Sequence, residues 1–220
     1  MPVYNVDQYI AESIESVINQ TFTDWELIIV NDGSTDKTSD IAASFQDSRI
    51  KVITQENQGV SVARNNGILA ASRAYVAFLD GDDLWSNDFL ETMVRAKEST
   101  VEPIVYCGWY RFWDDGKEQH RPFPYLDGNI LYDYIADTIS IHVNTLLINR
   151  QFLLDTGVQF TPGCHFGEDN EFISKLLCHT PVISVPKAMM KYRSRVGSAC
   201  GSGSSFRKSL DTIGKVERVN

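Results

Sequence analysis

Hydrophobic residues in the first hundred positions repeat with two different periods, which alternate along the chain. Residues 6–20, VDQYIAESIESVINQ, carry apolar side chains every three or four positions, which is the pattern of a helix with one buried face. Residues 25–32, WELIIVND, form a short run rich in apolar residues that stops at an Asp-Gly turn. The alternation continues through IKVIT (50–54), GVSVARNNGILAAS (59–72), YVAFLD (75–80) and NDFLETMVRAKEST (87–100). This order predicts a Rossmann-like α/β/α sandwich with a mostly parallel central sheet.

The second half of the chain has longer and more aromatic strand patterns. Its predicted elements are the strands IVYCGWYRFW (104–113), IHVNTLLINR (141–150) and VISVP (182–186), and the helix EDNEFISKLLCH (168–179). The sequence shows no internal repeat and no clear linker between the halves. We therefore predict one domain over residues 1–200, with the second half forming one side of a cleft, and a Gly/Ser-rich loop and tail over 201–220.

Composition and charge exclude several classes of protein. The 220 residues are 43% hydrophobic and 22% charged, as in an ordinary globular protein. The formal net charge of −9 argues against a nucleic-acid partner, because such proteins normally carry a basic face. No apolar stretch approaches the roughly 18 residues of a membrane-spanning helix. The four cysteines are widely spaced without a CxxC pair, which predicts a reduced, cytoplasmic setting.

Three carboxylates follow a hydrophobic strand within four positions. In YVAFLDGDD these are Asp80, Asp82 and Asp83. Like charges that close repel one another, so a cation is expected among them. Carboxylate oxygens suit Mg²⁺ or Mn²⁺, which proteins typically bind through one or two carboxylates together with substrate phosphates. From these residues alone, a solvated acidic turn that caps the next helix is an equally good interpretation.

Two other known sequence motifs also fit the segment that starts at Asp80. An EF-hand calcium loop starting at Asp80 fails, because Leu84 replaces an oxygen ligand and Trp85 replaces the glycine of the loop. A phosphatase of the haloacid dehalogenase type also has a strand that ends in DxD, and Asp80 would then be the nucleophile. That motif tends to open the chain and usually has Thr or Val where Leu84 stands. The phosphatase is retained as the alternative enzyme.

Five motifs in order carry a more specific resemblance. They are PVYN (2–5), VNDGSTDKT (30–38), NQGVSVARNNG (57–67), FLDGDD (78–83) and GEDNEF (167–172). Together they resemble the family 2 glycosyltransferases of the GT-A fold, from residue 2 to about residue 200. The resemblance implies an inverting enzyme that moves a sugar from a nucleotide-sugar donor with a divalent metal. It also implies a nucleotide-binding part up to about residue 100 and an acceptor-side part over 101–200.

The resemblance implies a nucleotide pocket formed by residues 2–4, Asp32 and Arg64. Pro2, Val3 and Tyr4 match the segment that packs on the nucleoside. Asp32 matches the aspartate that accepts the imide N–H of the base, which favours uracil or thymine because cytosine has no N–H at that ring position. Arg64 matches an arginine of the same pocket. Helix capping by Asp32 and a surface ion pair of Arg64 are the structural alternatives.

The resemblance also assigns the metal and the base. Asp80 and Asp82 match the DxD pair that holds Mn²⁺ or Mg²⁺, with Asp82 expected as the direct ligand and Asp80 near the nucleotide. Asp169 matches the base that removes the proton from the acceptor hydroxyl, and Glu168 is expected to orient the base or the acceptor. Without the other motifs, two acids in the first turn of a helix would be read as stabilising its N-terminus.

The segment KYRSR near the end of the domain departs from the family pattern. Arg195 stands where family members often have a histidine, and Arg193 and Arg195 are expected to contact the leaving diphosphate. The Gly/Ser-rich stretch 197–205 predicts that the KYRSR segment moves as a lid over the donor and that residues 194–205 are mobile without nucleotide. Solvent-exposed ion pairs are the alternative for both arginines. On the acceptor side, Trp109 is a candidate for stacking on a sugar, with a place in the core as its alternative. Sequence order puts His142 and His165 near the cleft, and His165 is the better candidate for contacting the acceptor.

The partners expected from the resemblance are a UDP-sugar donor and a glycan or lipid-linked acceptor, with no nucleic acid. The expected process is the assembly of a bacterial cell-surface polysaccharide or glycan, in the cytoplasm and compatible with peripheral association at the inner face of the membrane. A non-catalytic sugar-binding or nucleotide-binding module is the non-enzyme alternative. Retention of Asp80, Asp82 and Asp169 together argues against it, because carboxylates are costly to bury without a role.

Overall fold

A computed structural model describes residues 1–120, 123–164 and 166–194 of the chain. The predicted site residues His165 and Arg195 lie outside the described residues. The same holds for the tail over 201–220 and for all of the expected lid except residue 194. No helix in the described ranges is long and apolar enough to cross a membrane.

Helices and strands alternate through the described part of the chain. The strands are β1 Pro2–Val3, β2 Leu27–Asn31, β3 Ile50–Thr54, β4 Tyr75–Ala77, β5 Leu84–Trp85, β6 Ile104–Phe112, β7 Glu118–His120, β8 Leu146–Asn149 and β9 Ile183–Arg193. The helices are α1 Ile10–Ile18, α2 Thr38–Ser44, α3 Val60–Ala70, α4 Phe89–Glu98, α5 Leu131–Ile135, α6 Arg150–Thr156 and α7 Glu168–His179, with a short 3₁₀ helix at Val143–Thr145. Each predicted helix and strand is present in part. The strand predicted at 75–80 is shorter, and that predicted at 141–150 is strand only at Leu146–Asn149, after the 3₁₀ helix and before α6.

The strands form two sheets. In the first, β1, β2 and β3 lie side by side and are all parallel, with α1 and α2 as the crossovers that parallel pairing requires. The second sheet has the order β4-β8-β6-β9-β5, with β7 also paired to β6. Only its long central pair β6/β9 is parallel, and the other pairs are antiparallel. The predicted α/β architecture is confirmed, and its parallel pairing is confined to the first sheet and β6/β9.

Strand β9 runs seven residues past the predicted strand VISVP. Pro186, which lacks an N–H for pairing, is exposed at a bulge where the register with β6 shifts between Cys107/Val185 and Gly108/Ala188. The strand resumes beyond this bulge and pairs with β6 as far as Phe112/Arg193. Arg193 therefore belongs to the sheet and not to a movable lid, which corrects the expectation for this residue.

Aromatic packing joins the two elements that carry the predicted metal turn and the predicted base. Phe78 follows β4 and packs edge-on against Phe160 and Phe172, with ring centroids 5.4 and 5.7 Å apart. Phe160 and Phe172 stack on each other at 3.9 Å, and Phe172 lies in α7. All three rings are buried. Because the DGDD turn follows directly after Phe78 and Leu79, this cluster fixes the turn relative to the start of α7.

The first strand packs tightly against the DGDD turn. A Cβ atom at Gly81 would lie 2.7 Å from Val3 Cγ1 and 3.1 Å from Val6 Cγ2, closer than side-chain atoms normally approach. At Gly67 in α3, the nearest contact of an added Cβ is 3.7 Å, to Val30 Cγ2, which is an ordinary van der Waals distance. Position 81 thus has no space for a Cβ atom, whereas position 67 has.

We predict that Gly81→Ala lowers the free energy of unfolding by about 1–3 kcal/mol, because the added methyl group overpacks the contact with β1. Gly67→Ala is the matched control and should raise stability by about 0.5–1 kcal/mol, since alanine is favoured over glycine inside a helix. Urea denaturation of both variants measures the difference. Equal stability of the two alanine variants would show that the turn does not depend on this contact.

Candidate functional site

Acidic residues from three parts of the chain meet at one edge of the fold. Asp32 follows β2, the DGDD turn follows β4, and Glu168 and Asp169 begin α7. Arg64, in α3, points its guanidinium between the last two groups. This is the carboxyl-end side of the parallel strands, where ligands of α/β folds bind. The five motifs of the sequence thus contribute to one region.

Arg64 is the cation that joins the DGDD turn to α7. It is 3% exposed, and its Nη2 donates to Asp80 Oδ1 at 2.9 Å while its Nη1 donates to Asp169 Oδ1. Glu168 Oε1 lies 3.6 Å from the same Nη1. Burial opposes the charge of Arg64, but the carboxylates of Asp169, Asp80 and Glu168 outweigh this and raise its pKa. The side chain of Arg64 therefore contacts both the expected metal turn and the expected base.

Asp80, Asp83 and His142 form a group whose ligand atoms all lie within 4.8 Å of one another. Two carboxylates and an imidazole are a suitable donor set for Mn²⁺, and their oxygens also suit Mg²⁺. Asn144 Oδ1 beside them is buried and has no hydrogen-bond partner in the described residues. These residues fit a divalent metal. The convergent group differs from the expected pair, because Asp83 and His142 stand with Asp80 and the half-buried Asp82 is not one of the three.

The pKa values of the two aspartates in this group shift in opposite directions. Asp83 is 1% exposed, and burial together with the charges of Asp82 and Asp80 raises its pKa well above the usual range. Its Oδ1 accepts from the Arg193 N–H at 2.8 Å and its Oδ2 from Asn144 Nδ2 at 2.9 Å. Burial also opposes the charge of Asp80, but Arg64 lowers the pKa of Asp80 on balance.

Asp32 is held by the segment NQG that precedes α3. Its Oδ1 accepts from Gln55 Nε2 at 2.7 Å and from the Gln58 N–H at 2.9 Å, and its Oδ2 accepts from the Gly59 N–H at 2.8 Å. Gly59 has φ +91°, which favours glycine. An ionised carboxylate has about four acceptor sites, so one remains for the N–H of a base. The alternative role expected for Asp32 was capping the next helix along the chain, α2, whereas these two backbone bonds run to the segment before α3.

The other expected binding residues differ in their exposure. Pro2 and Val3 are buried in β1, whereas Tyr4 is 49% exposed and available to a ligand. Trp109 is half-buried, donates from Nε1 to Ser140 Oγ at 3.1 Å, and has its ring centroid 6.0 Å from that of His142. Trp109 thus lies beside the metal-binding candidates.

Arg193 is 5% exposed and its guanidinium forms ion pairs with Glu12 and Asp114. It touches the DGDD turn, but its charge is already matched by these two carboxylates.

Sequence reasoning counted Asp83 among the acids that surround an expected cation and placed His142 near the cleft by sequence order, but it assigned neither residue as a metal ligand and gave Asn144 no role. Asp83 belongs to the acidic run itself, so proximity in sequence was an available signal for it. His142 and Asn144 come about 60 residues later in an apolar stretch without a motif, and only the pairing of β8 with β4 and β6 brings them to the turn.

Comparison with known proteins identifies the family to which the sequence is similar. The chain matches the model of the family described as Glycosyl transferase family 2 over residues 1–164. It is 41% identical over 184 residues to the Bacillus subtilis protein named uncharacterized glycosyltransferase EpsJ, covering 78% of this chain and 53% of the relative. It is 43% identical over 95 residues to the Escherichia coli UDP-Glc:alpha-D-GlcNAc-diphosphoundecaprenol beta-1,3-glucosyltransferase WfgD, covering 43% of this chain and 38% of the relative.

A solved structure shares the fold over nearly the whole chain. The structure of S. aureus TarS 1–349 in complex with UDP-GlcNAc gives a TM-score of 0.80 at 21% identity, covering 97% of this chain and 64% of that 1–349 chain. The expected GT-A fold is thereby confirmed. The chain spans about half of the length of EpsJ and less of WfgD.

We predict that Asp83→Asn stabilises the metal-free protein at neutral pH. The pKa of Asp83 is higher in the folded than in the unfolded chain, so the folded state binds this proton more tightly and loses stability as the pH rises from about 4. Asparagine removes that penalty, and reversal of the Asn144 amide gives its unpartnered Oδ1 a donor.

Thermal denaturation of wild type and variant in EDTA between pH 4 and pH 8 measures this effect. The variant should gain relative stability with rising pH and lose its advantage in acid. A difference between the two proteins that does not change with pH would contradict the raised pKa.

Proposed function

Because the chain belongs to the family 2 glycosyltransferases, we propose that it transfers a sugar from a nucleotide-sugar donor to an acceptor hydroxyl with inversion at the anomeric carbon. The observation that carries the proposal is the bridge from Asp80 through Arg64 to Asp169. It sets a carboxylate suited to a metal–diphosphate next to a carboxylate suited to deprotonating an acceptor. A module that only binds sugars would not need the second group.

The donor is proposed to be a UDP-sugar. WfgD is named for UDP-Glc and the TarS structure contains UDP-GlcNAc, which supports a uracil nucleotide here. Asp32 has one acceptor site left for the imide N–H, and exposed Tyr4 is available to the base. Pro2 and Val3 would contribute through the backbone of β1.

Asp80, Asp83 and His142 would hold a divalent ion, Mn²⁺ or Mg²⁺, with Asp82 in the same turn. When bound, such an ion neutralises the charge of a diphosphate leaving group. Arg64 was expected in the nucleotide pocket, but both of its Nη atoms are engaged by carboxylates. We therefore assign Arg64 to holding Asp80 and Asp169 in place. The expected diphosphate contact of Arg195 stays a prediction.

Asp169 is the proposed base. Its Oδ1 is bound by Arg64, which leaves Oδ2 to accept the proton of the acceptor hydroxyl. As the hydroxyl oxygen bonds to the anomeric carbon, the bond from that carbon to the diphosphate breaks and the nucleotide leaves with the electron pair. Burial and the charge of Asp169 raise the pKa of Glu168. Glu168 is assigned to orienting the base or the acceptor.

The acceptor is proposed to be a glycan or a lipid-linked sugar of a bacterial surface polysaccharide. The name of WfgD specifies a lipid-linked diphosphate acceptor, which supports this class for the present chain. Trp109 beside His142 would offer a ring to the sugar. The role expected for His165 on the same side stays a prediction, as does the location at the inner face of the membrane.

We predict that Asp82→Asn and His142→Gln each weaken Mn²⁺-dependent UDP binding at least about tenfold, because each removes a candidate ligand of the ion. Calorimetric titration of UDP with Mn²⁺ and with EDTA measures the effect. Asp40→Asn, at an exposed position of α2, is the control. Full affinity in Asp82→Asn with loss in His142→Gln would exclude Asp82 and leave Asp80, Asp83 and His142 as the ligands, and full affinity in both would refute the metal site.

We predict that Asp169→Asn lowers turnover by about 10²–10⁴-fold while UDP-sugar affinity is retained, since a positioned base contributes to the transfer step and not to donor binding. UDP release from a panel of UDP-sugars in Mn²⁺ measures turnover, and thermal denaturation checks that the variant is folded. Glu168→Gln should have a smaller effect and Asp40→Asn none. Turnover of Asp169→Asn close to that of wild type would rule out this residue as the base.

A further inference from the structure

Arg193 reaches the DGDD turn from the end of β9 through two hydrogen bonds. Its backbone N–H donates to Asp83 Oδ1 at 2.8 Å, and its Nε donates to the backbone carbonyl oxygen of Asp82 at 2.9 Å. The turn itself closes through the Asp83 N–H, which donates to the Asp80 carbonyl oxygen at 3.1 Å. Arg193 therefore binds both residues that follow Gly81.

Two ion pairs and two aromatic rings hold the guanidinium of Arg193 in place. It forms ion pairs with Glu12 from α1 and with Asp114 from the loop after β6. Its Cζ lies over the rings of Tyr9 and Phe112, 5.0 and 4.5 Å from their centroids. A planar guanidinium that stacks on rings and pairs with two carboxylates keeps one orientation. Its Nε consequently holds the Asp82 carbonyl in one position.

The charge of Arg193 is matched away from the cleft. Glu12 and Asp114 are both about half exposed, whereas the Arg193 side chain is 5% exposed. To reach a diphosphate, the guanidinium would have to leave two ion pairs, two rings and the Asp82 carbonyl. The contacts of Arg193 thus suit a support for the turn better than a ligand for phosphate.

The DGDD turn needs such a support. Asp80, Asp82 and Asp83 are within four positions, and their mutual repulsion favours an open turn whenever no cation is bound. Arg64 holds Asp80 from one side through its Nη2. The bonds from Arg193 act on the remaining two residues.

We propose that Arg193 is a positioning residue that braces the DGDD turn through the Asp82 carbonyl and Asp83, and so presets the turn for a divalent cation. The cation part of this inference rests on the proposed function, whereas the bracing of the turn does not. Arg193 takes no part in the transfer step and contacts no substrate. This assignment replaces the expected contact of Arg193 with the leaving diphosphate.

The test compares the full 220-residue chain with Arg193→Gln and Arg193→Lys. Arg193→Gln should speed hydrogen exchange of the Asp83 amide at least about tenfold and weaken binding of Mn²⁺ alone, measured by the electron paramagnetic resonance of free Mn²⁺, by a similar factor. Arg193→Lys keeps a charge between Glu12 and Asp114 but lacks the fork that reaches the Asp82 carbonyl. Arg193→Lys should therefore keep the thermal stability of wild type better than it keeps the slow exchange of the Asp83 amide or the affinity for Mn²⁺.

Arg49→Gln is the matched control, since Arg49 is a half-buried arginine that pairs with Asp47 and lies over the ring of Trp25. It should change neither readout. If Arg193→Gln does not fold, Asp114→Asn serves instead, because it removes one of the two ion pairs that orient the guanidinium and leaves the pair with Glu12 and the backbone bond to Asp83. It should raise exchange at the Asp83 amide to a smaller extent.

Unchanged exchange and unchanged Mn²⁺ affinity in a folded Arg193→Gln protein would overturn the proposal. So would a loss of UDP affinity alone, because that result would assign Arg193 to the nucleotide. If wild type does not bind Mn²⁺ at all, the proposed metal site fails and exchange at the Asp83 amide alone decides whether the brace exists. A thermal destabilisation without faster exchange at the turn would show a merely structural arginine and would also overturn the proposal.

Discussion

The ionic contact of Arg64 with Asp80 and Asp169 is the constraint on which the rest of the site depends. A buried guanidinium is costly to remove from water, and it is tolerated because several carboxylates surround it. Its position is set by α3, and the start of α3 is set in turn by Asp32, whose carboxylate accepts the N–H groups of Gln58 and Gly59. The proposed nucleotide end of the site and its proposed catalytic end are therefore linked through one helix.

Charge balance explains why a cation belongs in this arrangement. Asp80, Asp82, Asp83, Glu168 and Asp169 are close together, and Arg64 matches only part of their charge. Burial lowers the pKa of His142, although the charges of Asp169 and Asp80 oppose this, so the imidazole is available in its neutral form as a metal ligand. Arg193 is near but is paired with two further carboxylates. In the metal-free protein, burial first and then the charges of Asp82 and Asp80 raise the pKa of Asp83.

The sequence was sufficient for the parts of the structure that depend on neighbours in the chain. The strand before Asp32, the helix that carries Arg64 and the helix that begins at Glu168 all follow from local periodicity, and the order of motifs indicated their common site. His142 could not be placed in that way, because its approach to Asp80 depends on strand pairing across about 60 residues. The extension of β9 to Arg193 was also missed, since Pro186 ends a strand by local rules and only the bulge against β6 allows it to continue.

The apolar layer beneath the ions determines how far the metal turn lies from the base. Arg64 Cζ is 5.1 Å from the centroid of the Phe160 ring, and that ring stacks on Phe172 of α7 and meets Phe78 at the entry to the DGDD turn. Close-packed rings resist displacement more strongly than exposed ion pairs do, because interiors are dense and have few voids. The ionic bridge orients Asp80 and Asp169, and the aromatic layer keeps their elements at a fixed separation. A transferase that attacks a sugar held by its diphosphate requires that separation to be constant, because misplacement of reacting atoms by about 1 Å is costly in rate.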